Sequence, residues 1–200
     1  MLTTQPLGIS GKAKEFNMTI SKADEARSQE LEMPTKEKPA VLPKAIHREI
    51  VRSNQVEFFA NMCRNGSASV VMENVVCNYA RKLSDDYDSG YWEFVDLGKH
   101  SLTNTFFMYP DKEVYFCANA DNYSEGYLSG ELFGLIVSLF AINVMAWKTQ
   151  EELRDHFVNL YHETKDRVSL SLSLIVKKSD SPEEILEART AQRMIYKFLD

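Results

Sequence analysis

The chain is 200 residues long, enough for one domain that buries a hydrophobic core without disulfide or metal staples. Hydrophobic residues make up 44% and charged residues 26%, which excludes collagen-like, wholly disordered and coiled-coil chains. The 29 acidic residues outnumber the 23 lysines and arginines, so the net charge of −6 does not favour direct binding to DNA. Three cysteines in no CxxC pair are typical of a reducing cytoplasm.

The first 45 residues differ in composition from the rest. They are polar, contain charges of both signs and include four of the six prolines. Such a segment buries too little apolar surface to fold alone, so it predicts a flexible N-terminal tail over residues 1–45. The alternative is a short helix over Asp24–Leu31 that docks on the body. No apolar run follows a basic cluster near the start, so we expect no secretory signal and a cytoplasmic protein.

Helix and strand patterns begin after the tail. Apolar residues at three-and-four spacing predict an amphipathic helix over Ser69–Leu83. Aromatic and β-branched runs predict strands over Tyr91–Leu97, Thr105–Tyr109 and Glu113–Ala118, and Pro110-Asp111-Lys112 has the composition of a tight hairpin turn. Together these three strands predict a small antiparallel β-meander.

The most apolar stretch runs from Leu132 to Trp147. It is shorter than the roughly 20 residues that span a bilayer, so we expect a buried core helix capped by Ser129 and no membrane association.

Three further elements are predicted in the C-terminal part. Thr149 begins a capping-box sequence and predicts a helix to about Glu163, and Ser181-Pro182 predicts a final helix through Leu199. Between them, Val168–Leu174 alternates apolar and polar residues, which is typical of a strand. The sequence therefore predicts one α+β domain over residues 46–200, a meander packed with several helices.

The residue types that usually carry catalysis or bind metals form no recognisable motif. His156 and His162 lie about 120° apart on one predicted helix, so they cannot chelate one ion, and surface positions are expected for all four histidines. The acidic turn at Asp85–Asp88 fails as a calcium loop because Tyr91 and Leu97 stand where glycine and glutamate are required. We therefore expect no metal, no cofactor and buried structural cysteines.

Negative charge is concentrated in the meander and its flanking loops. Residues 84–135 contain ten acidic residues against two lysines. Such a patch can attract a basic protein surface, although it can also be a merely solubilising surface. The partner-binding residues predicted from it are Asp85, Asp86, Asp88, Asp121 and Glu125.

Three ordered segments resemble the antirestriction proteins of the ArdB/KlcA type. The family carries the patterns Y-x-G-G-x-W-x-F-Y-x-L, G-F-Y-M-A-P and M-S-A-D-A-A-G-I, and this chain has similar segments at Tyr87–Leu97, Phe106–Pro110 and Leu128–Leu135. The resemblance is clear over Val51–Trp147 and looser beyond. The motif positions that we interpret as structural are Tyr87, Gly90, Trp92, Phe94, Leu97, Phe106, Pro110, Ser129 and Gly134.

This resemblance implies a non-enzymatic inhibitor of type I restriction-modification systems that protects incoming plasmid or phage DNA. The implied partner is the restriction-modification complex in a bacterial cytoplasm, and the resemblance brings no catalytic residue with it. Two alternatives stay open: a hydrolase built around His100 with Asp96 or Glu93, and a generic interaction module of mobile elements. The oligomeric state is not indicated by the sequence.

Overall fold

The structure is a computed structural model that describes residues 38–200. Most of the expected tail, and the alternative helix Asp24–Leu31, lie outside the described residues. Residues 38–45 pack on the domain, since Ala40 forms a parallel bridge to Leu128 and Leu42 is buried. The packed region therefore begins earlier than the predicted boundary at residue 46.

Five helices and five strands make up the described chain, and the α+β class is confirmed. The strands are β1 (Glu49–Ile50), β2 (Trp92–Lys99), β3 (Asn104–Pro110), β4 (Val114–Asn119) and β5 (Ser124–Ser129). The helices are α1 (Gln55–Met62), α2 (Gly66–Leu83), α3 (Gly130–Lys148), α4 (Glu151–Lys178) and α5 (Pro182–Leu199). The sequence patterns predicted β2, β3, β4 and α2 to within a few residues, but β1, β5 and α1 were not predicted.

The strands form two antiparallel sheets rather than one meander. The first has the order β1-β2-β3, and the second pairs β4 with β5. The prediction of a hairpin turn at Pro110–Lys112 was therefore wrong, because this segment leads from one sheet to the other. The physical reason is that α3 covers the outer edge of β3, where the Ser138 hydroxyl bonds both the N–H and the C=O of Met108, at 3.0 and 3.2 Å.

Helix α3 is the centre of the core, as its apolar sequence predicted. It is long and apolar enough to cross a membrane by length and composition alone, but 72% of its most apolar window is buried inside the protein. The predicted cap is confirmed, since the Ser129 hydroxyl accepts the N–H of Leu132 at 3.3 Å. Phe133 stacks on Tyr115 of β4 with ring centroids 4.3 Å apart, so this helix joins both sheets.

The strand predicted over Val168–Leu174 is wrong, because these residues belong to the 28-residue helix α4. Val168 and Leu172 face the core, while Leu170 and Leu174 are 49% and 42% exposed. A period of two also places residues at i and i+4, so the same letters fit one stripe of a helix. The surrounding helical sequence and the helix propensity of leucine decide between the two structures.

The two predicted caps near the C-terminus had different outcomes. The Thr149 hydroxyl donates to Met145 O at 2.7 Å and so closes α3, while Gln150 precedes α4 without a side-chain cap. The capping box at Thr149 was therefore wrong, and α4 continues well past Glu163. Ser181 does cap α5, accepting the N–H of Glu184 at 3.3 Å.

The motif aromatics pack in the interior. The Trp92 indole donates to the Tyr87 hydroxyl at 2.8 Å, and both side chains are buried. Phe94 packs on Phe59 of α1 with ring centroids 5.0 Å apart, and Phe106 is fully buried. Tyr87, Trp92 and Phe106 are thus part of the core, and the partly buried Phe94 packs against it.

Candidate functional site

A groove of about 560 Å³ lies between the turn after α2 and the β4–β5 hairpin. We call it the acidic groove; it is lined by Asp85 and Asp86 on one side and by Glu125 on the other, with Phe116 and Tyr123 between them. Two regions about 40 residues apart in sequence are thus brought to one surface. Three of the five predicted partner-binding residues, Asp85, Asp86 and Glu125, therefore line the same groove.

The five predicted acidic residues do not all lie in this groove. Asp121 stands at its edge, where its carboxylate accepts from Lys82 Nζ at 2.6 Å, and Lys82 itself lines the groove. This hydrogen bond raises the pKa of Lys82. Asp88 lies outside the lining, and its carboxylate accepts the N–H of Ser89 at 2.5 Å. The acidic surface is therefore centred on Asp85, Asp86 and Glu125.

The Asp86 side chain also stabilises the fold. Its carboxylate accepts the backbone N–H of Phe116 at 2.9 Å, and the Ser84 hydroxyl donates to Phe116 O at 2.6 Å. The turn thus satisfies the outer edge of β4 at Phe116, where an unpaired strand edge would attract another strand. Substitution of Asp86 therefore alters the fold as well as the surface charge.

Exposed aromatic side chains accompany the acids, and the charge count did not reveal them. Tyr123 at the hairpin tip is 93% exposed, and Phe116 is 40% exposed. Phe116 packs on Tyr127 with ring centroids 5.1 Å apart. The alternation of the β4 sequence, with Tyr115 and Cys117 inside, contains the signal that Phe116 faces outward.

A second cavity, of about 870 Å³, lies where the motif segments at Tyr109-Pro110 and Ser129–Glu131 meet. Here Arg48 Nη2 lies 2.9 Å from Glu131 Oε2, and the Tyr109 hydroxyl donates to Glu93 at 2.5 Å. Burial raises the pKa of Glu131, and the Arg48 charge opposes that shift. Arg48 and Glu131 therefore form an ion pair in this cavity, which joins residue 48 to α3. The sequence did not indicate the Arg48–Glu131 pair, because the two residues are far apart along the chain.

The described residues offer little support for the hydrolase alternative. His100 follows the end of β2, whereas Glu93 lies near its start, about 23 Å away at roughly 3.3 Å per residue. The other carboxylate considered, Asp96, accepts the backbone N–H of Gly98 at 2.7 Å. Burial raises the pKa of the Cys63 and Cys117 thiols to about 12, which keeps both protonated. Within residues 38–200, no group of three histidine, cysteine or acidic side chains is placed to hold a metal ion.

One histidine departs from the expected surface position. His156 is buried, and its Nε2 lies 2.7 Å from the carbonyl oxygen of Met62. Burial, assisted by the charge of Arg64, lowers its pKa against the effect of that hydrogen bond. No sequence signal distinguished this histidine, because its partner lies 94 residues earlier.

Comparison with known proteins matches the central part of the chain. The model of the antirestriction protein family matches residues 85–169. No curated protein sequence matches the chain. Among solved structures, the chain is similar to that of the KlcA and ArdB proteins, with a TM-score of 0.50 and 20% sequence identity over 72% of this chain and 94% of that chain.

The KlcA and ArdB proteins are described as having a novel fold and antirestriction activity against Type I DNA restriction systems in vivo but not in vitro. At 20% identity this likeness establishes the fold. The acidic groove and the motif segments lie within or beside the matched residues, and all five predicted acidic residues fall inside 85–169. The resemblance predicted from the motif segments is therefore confirmed: the model of the antirestriction protein family matches residues 85–169, and the fold is similar to that of the KlcA and ArdB proteins.

Proposed function

We propose that this protein is a non-enzymatic antirestriction protein that inhibits type I restriction-modification systems in the bacterial cytoplasm and so protects incoming plasmid or phage DNA. The observation that carries this proposal is the family match over residues 85–169, which includes most of the residues that line the acidic groove. The antirestriction activity attributed to KlcA and ArdB supports the same reading. The partner is a protein, the type I restriction-modification complex.

The charge of this protein argues against imitation of a whole DNA duplex. Duplex DNA carries one charge per about 1.7 Å, or some two dozen charges along a globule about 40 Å across. The acidic segment from residue 84 to residue 135 contains only ten acidic residues against two lysines. The proposed contact is therefore a small acidic surface that meets a basic patch on the restriction complex, and direct DNA binding is not part of the proposal.

The mixed chemistry of the acidic groove supports its use as a contact. Protein interfaces obtain most of their affinity from a few aromatic or arginine side chains, while charges at the rim steer association. Tyr123 and Phe116 supply exposed aromatic surface, and Asp85 and Glu125 supply the surrounding charge. A basic partner surface with an arginine-rich centre fits this arrangement.

The test is the plating efficiency of unmodified phage on a restricting host. Cells are used because the KlcA and ArdB activity is described as present in vivo but not in vitro. Cells that express the full chain are expected to restore plating by at least tenfold relative to cells without it. No rescue, with the protein present and folded, would overturn the proposed function.

A charge-reversal variant then tests the surface. Asp85→Lys, Asp121→Lys and Glu125→Lys change three exposed side chains and leave the structural Asp86 intact. The matched control is Glu73→Lys, Asp166→Lys and Asp180→Lys, which makes the same charge change at exposed positions away from the groove. Loss of rescue in the groove variant alone supports the acidic groove, whereas equal rescue by both variants rejects it.

A further inference from the structure

A third cavity has the opposite electrostatic character to the acidic groove. It measures about 270 Å³ and lies where the end of α1, the β2–β3 hairpin and α4 meet. None of its eight lining residues is acidic, and two of them, Arg64 and Lys99, are cationic. In a chain with a net charge of −6, this is a local reversal of sign.

The polar groups of this cavity have few partners. Within residues 38–200, neither Arg64 nor Lys99 lies within 4.0 Å of a carboxylate oxygen. Asn61 and Asn104 also line the cavity, so the two cationic residues are accompanied by two residues with amide side chains that can donate hydrogen bonds. Arginine, lysine and amide donors in a concave site are the groups that bind phosphate oxygens.

The buried imidazole of His156 provides an independent observation. It lines the same cavity and is 6% exposed. Its Nε2 lies 2.7 Å from the carbonyl oxygen of Met62, which can only accept, so Nε2 carries the proton. Nδ1 is then a buried nitrogen without a hydrogen-bond partner among the described residues. As a lone-pair acceptor, this nitrogen can receive a hydrogen bond from the O–H of a singly protonated phosphate, but not from an ionised phosphate oxygen.

The carboxylate of Glu163, which contacts the hairpin loop beside this cavity, already has hydrogen-bond partners. Glu163 lies two turns farther along α4, and its two oxygens accept the N–H groups of Ser101, Leu102 and Thr103 at 2.7 to 3.0 Å. These three bonds hold the hairpin loop in place and leave Glu163 outside the cavity lining. The positive charges of Arg64 and Lys99 are therefore available to an anion from solution.

We propose that this cavity binds the phosphate group of a small molecule, with Arg64 and Lys99 supplying charge and Asn61 and Asn104 supplying further N–H donors. This site is separate from the proposed antirestriction surface. Two cations are too few for stable binding to duplex DNA, which uses about 6–10 phosphate contacts. The concave shape suits one terminal phosphate rather than a diester backbone.

The test is titration of the full chain with inorganic phosphate, followed by nuclear magnetic resonance and by calorimetry. Saturable shifts of the Arg64 and Lys99 amide signals are expected, together with a shift of the His156 imidazole. The double variant Arg64→Gln with Lys99→Gln is expected to lose at least tenfold in affinity. Both side chains are exposed, so the variant should fold, and its melting temperature verifies this.

The control variant is Arg189→Gln with Lys177→Gln, which removes the same charge from exposed positions on α5 and α4. Unchanged affinity in this control supports the site. Equal losses in both variants would show unspecific attraction and overturn the proposal, as would the absence of saturable shifts. A short DNA duplex that binds more tightly than phosphate through Arg64 and Lys99 would also reject a small-molecule site. The phage-plating result does not enter this test, so the two proposals can fail separately.

Discussion

At the residue scale, the close contact between α3 and the first sheet requires a residue without a side chain at position 134. A Cβ atom at Gly134 would lie 2.4 Å from both Met108 O and Tyr109 Cα. These are backbone atoms of β3, so they cannot move aside as a flexible side chain can. The sequence analysis interpreted Gly134 as a structural position, and the atoms that a side chain there would meet belong to a strand.

The substitution Gly134→Ala should therefore destabilise the protein by about 3 kcal/mol, because the added methyl group forces α3 away from β3. Urea unfolding followed by circular dichroism measures this change. Gly66→Ala is the matched control, since no atom lies within 4 Å of a Cβ built there. Alanine in that helical position should be neutral or stabilise by about 0.5 kcal/mol. Equal unfolding curves for Gly134→Ala and the native protein would contradict the close contact.

Helix caps could be predicted from the sequence where the capping contact is local. Ser129 and Ser181 cap helices through groups three residues away, so their neighbours in sequence were sufficient. Thr149 has the same local pattern but bonds backwards to Met145, because α3 ends there. His156 and the Arg48–Glu131 pair depend on distant partners, and no local pattern indicated them.

At the element scale, the β2–β3 hairpin is tied to α4 by one carboxylate. Burial alone would raise the pKa of Glu163, but the N–H groups of Thr103, Leu102 and Ser101 outweigh burial and lower it. A lowered pKa means that the folded state favours the ionised carboxylate. The hairpin therefore gains stability from Glu163 at neutral pH and loses it in acid.

The substitution Glu163→Gln should lower the free energy of unfolding by about 2 kcal/mol at pH 7, since the amide has one acceptor oxygen and no charge. The stabilising effect of the native carboxylate is fully present above the ordinary value of 4.5 and is lost as the pH falls through the lower pKa of the folded state. The difference between native and variant should therefore shrink with acidification.

Unfolding titrations from pH 7 to pH 3 measure that difference. Glu152→Gln, an exposed change on the same helix, is the control and should have a small effect at every pH. A Glu163→Gln effect that is absent at pH 7, or that grows in acid, would contradict the role of the ionised carboxylate.

Helices could be predicted from the sequence where the pattern of hydrophobic residues was long and unambiguous. The apolar run of α3 and the spacing of α2 predicted helices that the structure contains. Val168–Leu174 was misassigned because a period of two and a helical stripe share the spacing i, i+4. Strand β5 was missed because Gly126 and the flanking polar residues lack strand propensity, and pairing with β4 stabilises it instead.

At the scale of the whole molecule, the charge count identified a region but not a surface. The fold gathers Asp85, Asp86 and Glu125 in one groove and leaves Asp88 outside it. It also adds Tyr123 and Phe116, which change the groove from a solubilising surface into one with apolar contact area. Composition cannot show this, because the arrangement depends on how the turn after α2 meets the β4–β5 hairpin.

The acidic groove is proposed to contact a type I restriction complex. Its most direct test is co-purification of the tagged full chain from cells that contain such a complex. The native protein and the Glu73, Asp166, Asp180 control should retain the restriction subunits, and the Asp85, Asp121, Glu125 reversal should release them. Equal recovery with the reversal variant, or no recovery from cells that the native protein protects, would contradict the claim.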